Sequence, residues 1–80
     1  MATLRLFAAA REAAGTGSTE IQGATVGEVL TRAGSQFGVV FQDVLPSCRI
    51  WVNGEPADPD TQVGDRDEVA VLPPVSGGSL

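Results

Sequence analysis

Eighty residues with ten carboxylates, five arginines and a net charge of −5 describe one small acidic domain, burying only about 60% of the surface its unfolded chain exposes. Histidine and lysine are both absent, which removes the commonest general base and zinc ligand together with Schiff-base chemistry, so a self-sufficient enzyme is not expected. The acidic balance disfavours nucleic acid and acidic membranes and favours a basic protein partner, while Cys48, the single cysteine, excludes an internal disulfide and a zinc ribbon.

The opening MATLRLFAAAREAAG lacks the order of a secretion signal, and no apolar run approaches the roughly 18 residues of a membrane span, so a cytoplasmic location is expected. Within it Leu4, Leu6 and Ala8 alternate with Thr3, Arg5 and Phe7, the period-two pattern of a strand with one face on a core. Alanine-rich residues up to Gly15 then predict a short helical turn, and the segment around Ile21 a second strand closing a wide hairpin. Thr25 and Glu28 have capping-box spacing, and Val26, Val29, Leu30, Ala33 and Phe37 follow on one helical face, with Gly34 and Gly38 at its fraying end.

The stretch VVFQDVLPS is apolar without a clear period, and reads as a connection that plugs the core with Phe41, Val44 and Leu45. Ile50 and Val52 alternate with Arg49 and Trp51 in a third strand, which Asn53-Gly54 turns into a short fourth one bearing Pro56. An acidic loop leads to the last strand, where Val69 and Val71 share one face and Ala70 and Leu72 the other.

One helix crossing one face of a mixed sheet, with first and last strands parallel at its centre, satisfies both apolar surfaces. The expected fold class is therefore α+β, a β-grasp or ubiquitin-like sheet of four to five strands, with residues 1–73 as the domain and 74–80 as an extended tail. Parity carries this further. If Leu4, Leu6, Ile50, Val52, Val69 and Val71 face the helix, then Phe7, Trp51 and Leu72 face away on neighbouring strands, an apolar stripe suited to docking a partner.

In the tail, Pro73 and Pro74 end the strand and extend the chain, and Val75 and Ser76 carry it onward. Gly77 and Gly78 lack a Cβ, so their backbone fits a narrow channel and the Gly78 carbonyl is open to reagents. Taken alone, two glycines near an end also fit a terminus without function. Together, LRLFAAAREAAGT, the capped helix and VNGEPADPDTQVGDRDEVAVLPPVSGG resemble the MoaD/ThiS family of ubiquitin-like sulfur carriers, and within it the branch of molybdopterin synthase small subunits.

That resemblance implies a reagent rather than a catalyst. A partner adenylyltransferase related to ubiquitin-activating enzymes uses ATP to adenylate the terminal glycine, here Gly78, and a sulfur donor displaces AMP to leave a thiocarboxylate. No cofactor is bound by the carrier. In molybdopterin synthase the tail, here Pro73, Pro74, Val75, Ser76 and Gly77, enters the large subunit of a heterotetramer, while Phe7, Leu72 and Pro56 match the docking surface. The thiazole-forming and cysteine-forming branches stay open, as does a ubiquitin-like binding module without conjugation; an RNA-binding β-grasp domain fits the charge poorly.

One departure bears on the chemistry: Gly78 is followed by Ser79 and Leu80, so its carbonyl is an amide, which is not adenylated. Removal of Ser79-Leu80 by a processing peptidase is the preferred explanation, with a cloning remnant or a copy retired to binding as the others. Elsewhere, Cys48 reads as a small apolar group rather than a sulfur relay. The acids Asp58, Asp60, Asp65, Asp67 and Glu68 miss calcium-loop spacing and read as a solvated surface. For Arg11 and Glu12 the sequence leaves a role in orienting the first loop and a local pairing equally open.

Overall fold

A computed structural model describes residues 1–74. Its elements are β1 (Ala2–Leu6), α1 (Ala8–Ala14), β2 (Ser18–Ile21), α2 (Val26–Phe37), α3 (Val39–Val44), a 3-10 turn at Leu45–Ser47, then β3 (Arg49–Val52), β4 (Glu55–Pro56) and β5 (Glu68–Leu72). The sheet runs β2-β1-β5-β3-β4. Its central pair, β1 and β5, is parallel, with Leu4 opposite Val69 and Leu6 opposite Val71. All other pairings are antiparallel. This is the β-grasp arrangement that the pattern predicts, with three helices where the sequence announces one main helix and a short turn.

The core follows the expected parity. Leu4, Leu6, Val69 and Val71 are buried together with Val26, Val29, Ala33 and Phe41, while Ile50, Val52, Leu30 and Phe37 pack around them. Ladder positions explain the grouping, because Ile50 lies opposite Val71 and Val52 opposite Val69. The α2 start is braced from two sides. Thr25 accepts a hydrogen bond from the Glu28 amide at 3.2 Å, and the Glu28 carboxylate accepts one from the Ala24 amide at 3.0 Å. The next helical amides, of Val26 and Gly27, donate to the Thr61 and Pro59 carbonyls, so the loop before β5 is tied to the helix that covers the sheet.

Three local readings need correction. The stretch after Gly38 is helix, not a plain connection: Phe41 is fully buried, with Val44 and Leu45 packed beside it one turn on. Phe41, Val44 and Leu45 stand at i, i+3 and i+4, a helical period that the neighbouring Val39 and Val40 mask, since both are exposed. Gly34 is not at a fraying end either; it is buried inside α2, where Gln42 of α3 donates to its carbonyl at 2.7 Å.

The third correction concerns Ala8. Strand β1 stops at Leu6, Phe7 is still extended at φ −130°, and Ala8 turns into the left-handed region at φ 51°. Ala8 is exposed rather than inward, and Ala10, one step into α1, fills the core position instead. A left-handed alanine costs about 1–2 kcal/mol. Phe7, just before this corner, stands on the surface at 39% exposure.

Candidate functional site

The uncovered face of the sheet holds a row that crosses four strands. Arg5 lies opposite Ala70, Ala70 opposite Trp51, and Trp51 opposite Pro56. One step toward the chain exit, Arg49 stands opposite Leu72, and Phe7 follows Leu6 on the other side of β5. Side chains alternate along a strand, so Phe7, Trp51, Leu72 and Pro56 share the face that the helices do not cover. Trp51 and Leu72 are half-buried and Pro56 is exposed.

Arg5 organises part of this surface. Its guanidinium sits 5.9 Å from the centre of the Phe7 ring and 3.2 Å from the Glu68 carboxylate. The cation holds the aromatic against the sheet and is itself tethered from the row below, a pairing worth about 0.5–1 kcal/mol at an exposed site. Beside it, a shallow groove between α1 and the hairpin is lined by Phe7, Arg11, Thr16, Gly17 and Ser18. A Cβ at Gly17 would come within 3.3 Å of the Arg11 Nε, so glycine there lets Arg11 lie against the hairpin.

Strand β5 ends at Leu72, and Pro73 and Pro74 leave the sheet with Pro74 exposed. The remaining tail residues of the expected site, Val75, Ser76, Gly77 and Gly78, lie outside the described residues, as do Ser79 and Leu80.

The acidic loop is occupied with holding itself together. Asp67 accepts from the Gly64 amide at 2.8 Å and from the Asn53 side-chain amide at 2.9 Å, and Asn53 in turn accepts from the Glu68 amide at 2.9 Å. These donors keep the Asp67 carboxyl below its usual range, the Asn53 bond first and the Gly64 amide second. The Met1 amino group bonds Asp65 and lowers it likewise. Asp58 accepts from the Asp60 amide and from the Thr61 hydroxyl. Among the described residues no group of histidine, cysteine or carboxylate side chains is placed to hold a metal ion.

Asn53 and Gly54, both at positive φ, make the tight turn that the dipeptide predicts, and the same Asn53 locks the acidic loop. Cys48 is half-buried, its thiol directed at the Val44 carbonyl at 3.3 Å, and burial raises its pKa. A thiol held protonated is a poor nucleophile, in keeping with a packing role. No described helix is long and apolar enough to cross a membrane.

A β-grasp domain with one bare sheet face, and a chain that leaves the central strand beside that face, is a ubiquitin-like protein. The ThiS family model matches residues 4–78, so the chain belongs to the ThiS family of ubiquitin-like sulfur carriers. Among solved structures, it is similar to the small archaeal modifier protein 1 of Methanosarcina acetivorans, at 30% identity with a TM-score of 0.84, covering 96% of this chain and 95% of that one. It is also similar to a chain of the Amycolatopsis orientalis BexX/CysO complex, at 25% identity and TM-score 0.82, over 98% and 100% of the two chains. A third is the complex of subunits 1 and 2 of molybdopterin-converting factor from Helicobacter pylori, with 27% identity and TM-score 0.69 over 96% and 97%.

Proposed function

We propose that this protein carries sulfur as a thiocarboxylate on Gly78 and donates it in molybdopterin biosynthesis as the small subunit of a two-subunit synthase. The observation that carries the reading is the point at which the chain leaves the sheet. The strand that delivers it is the central one of the sheet, two prolines stiffen its exit beside Phe7 and Leu72, and the family match closes on Gly78. The likeness to a subunit 1 and 2 complex supports the choice of pathway.

In this reading the Gly78 carboxylate attacks the α-phosphorus of ATP on an adenylating partner and pyrophosphate leaves. A donor at the oxidation level of sulfide then attacks the acyl carbon, the C–S bond forms, and the C–O bond to AMP breaks. The chain itself acts as a reagent: it supplies an unhindered carboxylate on a stiff arm and a surface that docks it, through Phe7, Trp51, Pro56, Leu72, Pro73 and Pro74. ATP and the sulfur donor belong to partners. Because Gly78 precedes Ser79, the reading requires cleavage of the Gly78–Ser79 bond before adenylation, a step for which a peptidase is proposed.

The likeness to a modifier protein favours a second reading, in which the same adenylated Gly78 is captured by an amine to give an amide. One experiment separates the two. The full chain and a chain ending at Gly78 are incubated with the host's adenylating enzyme, ATP and sulfide, and intact mass is recorded. The shorter chain is expected to gain the mass difference between sulfur and oxygen while the full chain stays unchanged. Equal sulfur loading of both removes the cleavage step, and loading of neither removes the carrier reading. Conversion to higher-mass amide adducts alone selects the modifier.

A further inference from the structure

The molecule is acidic as a whole, yet the surface around the chain exit is not. Three of its five arginines, Arg5, Arg11 and Arg49, stand at or beside the exit row: Arg49 opposite Leu72 on one side of β5, Arg5 and Arg11 with Phe7 on the other. Asp65, Asp67 and Glu68 mark the opposite end of the same sheet, where β5 begins and the Met1 amino group meets Asp65. Arg5 is already engaged by Glu68 and the Phe7 ring.

That leaves Arg11 and Arg49, both exposed, on either side of the exit. The Arg11 side chain passes beside Gly17, where a Cβ would crowd its Nε at 3.3 Å, so it reaches the exit side of the hairpin unobstructed. Glu12 borders the neighbouring groove on α1, yet neither it nor any other described carboxylate forms an ion pair with Arg11.

Overall charge argues for a basic partner. Charge at the point of contact argues the reverse. Building on the carrier reading above, we propose that the adenylating partner presents carboxylates at the mouth of its tail channel, one set meeting Arg11 and one meeting Arg49, with an apolar centre between them that seats Phe7, Leu72 and Trp51. Apolar burial supplies the area, and the two flanking cations fix the rotation of the domain about its tail, since a partner docked half a turn away would place carboxylates against Glu68 and Glu20. Guanidinium groups suit this task because they bind carboxylates through two parallel hydrogen bonds.

The test measures association of the host's adenylating enzyme with the full chain and with the chain ending at Gly78, at low and at high salt. Arg11→Glu and Arg49→Glu are each expected to raise Kd about tenfold and to flatten the salt dependence. Arg66→Glu, the same charge change in the loop at the far end, is expected to shift Kd by less than about twofold. Thermal melts establish that each variant is folded. Wild-type affinity in both exit variants overturns the proposal, and so does an equal loss in Arg66→Glu, which would mean that net charge alone matters. If wild-type chain of either length neither binds nor supports pyrophosphate exchange, the carrier reading falls and this inference falls with it. Binding that survives both reversals overturns only the carboxylate rim.

Discussion

The two faces of this sheet are made by the same strands and stabilised by the same backbone ladders, but their side chains answer to different demands. On the covered face Leu4, Val69 and Val71 are fully buried and Leu6 nearly so. On the bare face the alternate residues Arg5, Ala70, Trp51 and Pro56 form one continuous row, with half-buried and exposed positions mixed. Folding needs one apolar face and one cover. What stands on the other face is free to be shaped by whatever the domain meets, and there a tryptophan and a phenylalanine remain beside the place where the chain departs.

The strongest way to break that distinction is to mutate both faces alike. Leu4→Ala removes a fully buried side chain at the centre of the covered face and is expected to cost about 3 kcal/mol. For a domain this small, with roughly 3–5 kcal/mol of total stability from its core, a urea titration should show little or no folded baseline at 25 °C. Trp51→Ala on the bare face removes a larger side chain and should cost only about 1 kcal/mol, the scale of a cross-strand pair, while weakening association with the adenylating partner. If Trp51→Ala unfolds the domain as Leu4→Ala does, the bare face is part of the core and not a docking surface.

Much of this contrast is legible in the sequence, because alternation in a strand is a local property that burial of one face turns into a global one. Register followed from Leu4, Val69 and Ile50 without any knowledge of the ladder partners. The helix start at Thr25 and the turn at Asn53-Gly54 were equally readable, since each depends on chemistry within three or four residues. What escaped were features that depend on the approach of distant backbone. Nothing near Ala8 announces a left-handed corner, and Ala10 takes the inward place only because α1 is folded back over the end of the sheet. Helix α3 was obscured by Val39 and Val40, which extend an apolar run without joining its buried side. At the site, the pattern placed Phe7, Trp51 and Leu72 on one face, but the seating of Arg11 over Gly17 is a tertiary contact that no spacing rule describes.

The smallest effect sharpens the comparison through protons. Among the described residues no polar or charged residue is buried, so mild acid should leave the covered face untouched and act through the exposed brace at the start of β5. The Asp67 carboxyl is held below its ordinary value by Asn53 and Gly64, and that of Asp65 by the Met1 amino group. Below that value the unfolded chain binds protons that the folded chain still refuses. Each group therefore contributes stability that is present above the unfolded pKa and lost as pH falls through the lower folded one. The melting temperature should be level between about pH 7 and pH 5 and should decline below roughly pH 4. Asp67→Asn should melt lower than wild type at neutral pH and decline less steeply in acid, because the titrating brace is already gone. An acid limb in Asp67→Asn as steep as in the wild type would assign the loss to carboxylates elsewhere.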